Sequence, residues 1–260
     1  MIAHRVPSVK SIATNTVQCS PMCNTGAMEP KNAVVSARER VRAEVRSEIV
    51  NAAREQMALE GAGALSLRAV ARELGMASSA VYRYFKSRDE LLTALIIEAY
   101  DALGSEVEAA SLEGDGRTRW VAAWLSVRRW ALGHPHEYTL IYGSPVPGYQ
   151  APELTIGPAS RVILSLAAIL VAANDAGELN SRDLAPLPEG IAVEARHLSE
   201  LALPGVPPEI VARGLVAWTQ LFGQVSFELF GQLRGVVQDV DASFEFAVAV
   251  MAEFVGFPEA

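Results

Sequence analysis

Cysteine is almost missing from this chain: two residues, Cys19 and Cys23, stand in a single Cys-x3-Cys spacing. No other cysteine could complete a zinc site, and only four histidines exist, His4, His134, His136 and His197. A metal site is therefore not expected. The amino terminus lacks the continuous apolar core of a secretory signal. The best candidate for a membrane span, Val162 to Ala173, is too short to cross a bilayer. The expectation is a cytoplasmic protein that does not associate with membranes. Catalytic motifs are missing as well: there is no phosphate-cradling glycine loop and no pair of carboxylates arranged on one face. Gly143-Ser144-Pro145 cannot form a nucleophile elbow, because Pro145 would spoil the strand-to-helix turn. The sequence reads as a non-enzyme with no cofactor.

Half of the 260 residues are hydrophobic, with Ala, Leu, Val and Glu abundant, which predicts a mostly helical protein of two domains. The first 35 residues are rich in polar residues without apolar periodicity and are expected to be a disordered extension. Met28 is an alternative start. The formal net charge is −8, yet it is unevenly spread. Residues 31–90 hold 11 Lys and Arg against 8 Asp and Glu, whereas residues 91–260 hold 9 against 21. A basic segment followed by an acidic body suits a protein that meets a polyanion through one part only.

The basic segment carries the most specific pattern, Leu67 to Phe85, LRAVARELGMASSAVYRYF. Ala71, Gly75 and Val81 stand where a helix-turn-helix needs a small contact residue, a turn glycine and a plug from the second helix into the first. Val70 and Leu74 share one face of the first helix, and Val81 and Phe85 share one face of the second. Ser79, Tyr82, Arg83 and Lys86 recur at i, i+3, i+4 and i+7 and form a polar, aromatic and basic stripe that suits a groove lined with phosphates. Upstream, a Ser36/Glu39 capping box opens a long helix with Val45, Ile49, Ala52, Ala53 and Met57 on one side, ended by Gly61 and Gly63. Ser66 caps the next helix, and a Ser87/Glu90 capping box starts a fourth.

From about Arg40 to Leu95, above all in LSLRAVARELGMASSAVYRYFKSRDELL, the chain resembles the amino-terminal DNA-binding domain of the TetR family of transcriptional regulators. The resemblance implies an all-α fold: a three-helix helix-turn-helix domain followed by a larger helical domain that dimerises and binds a small molecule. It puts Arg68 near the DNA backbone, Ser78, Ser79 and Ala80 at the groove-facing start of the recognition helix, and Tyr82, Tyr84 and Lys86 on phosphate-contacting positions. It also matches Arg88 to a basic position opening the fourth helix. The expected divisions are 1–35 for the extension, 36–87 for the DNA-binding domain and 88–260 for the effector-binding and dimerisation domain.

Beyond Tyr100 the pattern predicts a helix from Arg117 to Leu132 with Trp120, Trp124, Val127 and either Trp130 or Ala131 on its apolar face. A short aromatic segment over Tyr138, Leu140, Ile141 and Tyr142 and a proline-rich loop over 143–153 follow. Next come a nearly all-apolar helix from Arg161 to Ala173, buried on most sides, and an irregular connection over 181–208 with a short helix near Val193 to Ala202. Two long helices, Glu209 to Arg234 and Asp239 to Phe254, close the chain. Gly223, Phe227, Phe230 and Gly231 on the first, and Phe244, Val248, Met251 and Val255 on the second, are read either as a homodimer interface or as closing the monomer core. A helix-turn-helix that reads a two-fold site favours the dimer.

The segments His134 to Pro152 and Ala217 to Gly231 resemble the TetR-type carboxy-terminal domain named for a Trp-His-Gly signature. Trp218 and Gly223 match it, while Phe222 stands in the histidine position and makes the surroundings more apolar. Trp124, Tyr138, Tyr142, Trp218 and Phe222 are the candidates to line a cavity for an apolar or aromatic effector. The resulting expectation is a homodimeric repressor on a near-palindromic double-stranded operator, released by that effector. The alternative is an architectural or assembly factor that binds DNA without a small-molecule switch.

Overall fold

The computed structural model describes residues 37–180 and 184–259. Expectations about the extension, Cys19, Cys23, His4, Met28 and the Ser36 half of the first capping box lie outside the described residues. The described residues contain ten α-helices, two short 3-10 turns and no strand. They divide into two compact units, 37–95 and 96–259.

In the first unit, α1 (Ala37–Glu60) buries Ile49, Ala52, Ala53 and Met57 and ends where Gly61 turns to positive φ. Gln56, buried on the same helix, donates to the Ala64 carbonyl and accepts from the Ser66 amide, holding the chain reversal in place. Ser66 then caps α2 (Leu67–Glu73) by accepting from the Ala69 amide. At the end of α2, the Met76 amide donates to the Ala71 carbonyl and the Gly75 amide to Arg72. This double closure is a Schellman motif and needs a left-handed residue, which Gly75 supplies with φ +64°. The turn feeds α3 (Ser78–Val81). Val70, Ala71, Val81 and Phe85 are fully buried, so the two short helices pack through the faces their periodicity marks.

Helix α4 (Arg88–Ala110) starts in this unit and continues into the second. The Glu90 amide donates to the Ser87 hydroxyl, as in a capping box, but the Glu90 carboxylate accepts from the Lys86 amide rather than from Ser87.

In the second unit, α5 (Gly116–Gly133) is the central helix, capped by Asp115. Trp120, Trp124, Val127, Ala131 and Trp130 are all buried, so both of the alternatives at the end of its apolar face are used. His134 closes it, with its ring nitrogen 3.0 Å from the Trp130 carbonyl and its ring stacked on Trp130. The aromatic segment forms α6 (Pro135–Tyr142).

Helix α7 (Ile156–Asp175) begins five residues before the expected Arg161. Pro158 sits in its first turn, where a missing amide costs no helical bond. With the preceding 3-10 turn it makes a run of 23 residues, with a mean hydropathy of 1.9 over its most apolar window, long and apolar enough to cross a membrane. The expectation of no such run is thereby corrected. So is the expectation of burial on most sides: Val162, Leu166, Ile169 and Leu170 are buried, but Leu164 is exposed.

Helix α8 (Glu189–Ala202) is longer than the short helix expected within an irregular connection. Helix α9 (Pro208–Leu229) stops before the expected Arg234. A second Schellman closure ends it: Gln232 donates to Phe227 and Gly231, at φ +79°, donates to Glu228. Phe230 and Gly231 therefore lie beyond the helix. In α10 (Val240–Val255), Phe244, Val248 and Val255 are buried in the core of their own unit. The expected dimer face on this helix is the monomer core face, because its period matches Trp124 and its neighbours on α5. Arg128 of α5 ties α9 and α10 together, pairing with Glu228 and Asp241 while lying over the Phe244 ring.

Candidate nucleic-acid interface and effector cleft

The outer surface of the first unit presents Arg68, Ser78, Ser79, Tyr82, Arg83 and Lys86 as exposed residues, with Ala80 and Tyr84 half-buried. The buried Val81 and Phe85 anchor them from behind, and Arg46 covers the Phe85 ring with its guanidinium 4.3 Å from the centroid. The stripe expected to reach Lys86 does not persist as one helical face. After Val81 the bonds tighten to i→i+3, with Arg83 donating to Ala80 and Tyr84 to Val81. The 3.6-residue period stops there, and Lys86 belongs to the bend before α4.

Arg88, matched by resemblance to a DNA-facing basic position, has its guanidinium turned inward. It donates to the carbonyls of Leu65 (3.1 Å), Ala62 (2.9 Å) and Gly63 (3.1 Å). These carbonyls belong to the 3-10 turn between α1 and α2, which no sequence pattern connects to Arg88. Arg42 adds an unforeseen contact, its guanidinium 5.8 Å from the Tyr84 ring centroid.

The five aromatic candidates for a cavity wall are placed differently from expectation. Tyr142 stacks on Phe222 at 4.1 Å between centroids, Tyr138 lies against Tyr142, and Trp218 meets Phe222 edge-on. Tyr138 donates to the Phe222 carbonyl and bonds the Ser226 hydroxyl, and burial pushes its phenol up to about 12, so it keeps its proton at neutral pH. Burial also raises the Tyr142 phenol well above its ordinary value. Trp124 is enclosed between Trp120 and Phe244. These rings fill the space between their helices by packing on one another.

A cleft opens elsewhere in this unit, between α7, α8 and α9, with about 720 Å³ of empty space including its mouth. Of the five candidates only Trp218 lines it. Its other walls are aliphatic, from Leu166 and Leu170 on α7, Leu198 and Leu201 on α8, and Val211 on α9, with Trp120 of α5 contributing an indole. The sequence reading missed α8 as a wall because the segment preceding it is rich in proline, glycine and leucine.

A three-helix head with a Schellman turn and an exposed hydroxyl, tyrosine and arginine surface, joined to a larger helical unit, defines a helix-turn-helix regulator. The family profile for bacterial regulatory proteins of the tetR family matches residues 49–95, and that for a tetracycline-repressor-like C-terminal domain matches residues 120–251. The HTH-type transcriptional regulator Rv1816 of Mycobacterium tuberculosis is 39% identical over 232 residues, covering 84% of this chain and 97% of the relative; Mb1846 of Mycobacterium bovis gives the same figures. The solved structure of the candidate regulatory protein SCO4313 is 35% identical, with a TM-score of 0.70, covering 84% of this chain and all of the other. A TetR-family protein from Rhodococcus RHA1 shares the fold at 18% identity and a TM-score of 0.56, over 83% of this chain and 99% of that one. This chain belongs to the TetR family. It is a helix-turn-helix transcriptional regulator and not an enzyme.

Proposed function

We propose that the protein is a cytoplasmic, homodimeric repressor that occupies a near-palindromic DNA operator and leaves it when an apolar small molecule binds the C-terminal unit. The observation that carries the DNA part is the exposed group Ser78, Ser79, Tyr82 and Arg83, set on a helix start that Val81, Phe85 and the Gly75 turn hold in place. Ser78, Ser79 and Ala80 meet base edges, while Arg68, Tyr82, Arg83, Tyr84 and Lys86 meet phosphate oxygens. The dimer part rests on apolar side chains that the last two helices leave in water: Phe246 is 71% and Phe227 55% exposed, with Val216, Phe230 and Val250 also exposed.

Release follows if the effector prefers one disposition of α4, the helix that belongs to both units. Operator selection from a random duplex pool, followed by salt titration, tests the DNA part. A Tyr82→Ala, Lys86→Ala double variant is expected to bind all duplexes more weakly and to lower the salt slope by about 1 for the lost lysine, with base preference retained. Normal operator affinity for this variant at physiological salt would contradict the assignment.

A further inference from the structure

The cleft between α7, α8 and α9 has a lining with a definite chemical bias. No ionisable side chain lines it, and no hydroxyl, amide or other acceptor side chain either. The only polar side-chain groups on its walls are the indole N–H groups of Trp120 and Trp218, which donate and cannot accept. Trp120 is completely buried, and its N–H has no hydrogen-bond partner in the protein. An unpaired donor in a hydrocarbon wall is a standing cost that an acceptor brought by a ligand removes. The size of the cleft is within the range of small-molecule sites.

From this we infer that the cleft takes an uncharged lipophile with a long hydrocarbon body and a single acceptor, such as an ester or ketone oxygen, received by the Trp120 N–H. The inference deepens the effector reading above and rests on it for the consequence at DNA, though binding itself can be measured separately. A carboxylate of the same chain length is disfavoured because no cation lines the cleft to replace its water, and an ammonium because no anion does. A ligand rich in donors is disfavoured because the walls offer no acceptor side chain.

The test uses the full chain with methyl decanoate, decanoate, decylamine and decane, reading tryptophan fluorescence and thermal shift. The ester is expected to bind at least tenfold more tightly than decanoate or decylamine at neutral pH. Trp120→Phe keeps an aromatic wall and removes the donor. It is expected to weaken the ester several-fold and leave decane unchanged, whereas a merely structural tryptophan would weaken both alike. Ala202→Phe, which places a ring at the cleft wall, is expected to abolish binding of both while far-UV circular dichroism stays unchanged. Equal binding of ester and carboxylate, ester binding unaffected by Trp120→Phe, or no binding of any probe overturns the inference. Selective ester binding that leaves operator affinity untouched sustains it and instead removes the effector-release reading.

Discussion

Gly75 takes φ +64°, and a Cβ built there would meet nothing within 4 Å. The glycine is required by the backbone angle and not by crowding. Gly75→Ala should therefore cost about 1–2 kcal/mol through left-handed strain alone, and Gly75→Asn less, because asparagine tolerates that region. Thermal unfolding of the two variants checks the order. Arg88 presents a different case at the same scale. Its three bonds to the Ala62–Leu65 turn make it a brace between the start of α4 and the end of α1. Arg88→Met is expected to destabilise the protein by about 1–2 kcal/mol while leaving the salt slope of DNA binding unchanged. A slope lower by about 1 would mean that the guanidinium serves a phosphate instead.

At the scale of elements, Arg161 is the link between α4 and α7. It bonds both oxygens of Glu108, at 2.9 and 2.6 Å, the Ser105 hydroxyl at 3.0 Å, and both the carbonyl and carboxylate of Asp101. Gly104 lies beneath it, where a Cβ would stand 2.8 Å from the arginine side chain. This bond holds the Glu108 carboxyl below its ordinary value of 4.5. A depressed carboxylate pKa stabilises the fold fully above that ordinary value and loses the contribution as pH falls through the lowered one. Arg161→Gln should consequently melt earlier than the parent at pH 7, with the gap narrowing below about pH 4.5. Differential scanning calorimetry across pH 3 to 7 checks this.

The elements of the head could be read from the sequence because their signals are local: Ser66, Gly75 and Ser87 fix caps and a turn within a few residues. The C-terminal elements could not be read as fully. Gly231 ends α9 inside a run whose apolar pattern continues, and only the bonds closing on Phe227 and Glu228 decide it. Likewise, periodicity on α10 marked Phe244 and Val248 as a packing face but held no information on which partner they pack against.

At the scale of the whole molecule, the exposed phenylalanines are the reason to expect two chains. Phe246→Glu should convert a dimer to monomer at micromolar concentration in analytical ultracentrifugation, raising the dissociation constant at least a hundredfold, with helicity retained because the side chain packs against nothing in its own unit. Phe244→Ala, by contrast, removes a fully buried ring from the core and should cost about 3–5 kcal/mol of stability.

The division of the chain at 95/96 falls inside α4 and not at the bend before it. A hybrid regulator that borrows this operator-reading head must therefore be spliced within a helix, turn matched to turn, with the donor's first two turns of α4 retained. A junction cut at the more inviting Ser87 would leave the borrowed head without the arginine that staples its own chain reversal. Such a chimaera should express poorly even when every residue aimed at the duplex has been transplanted.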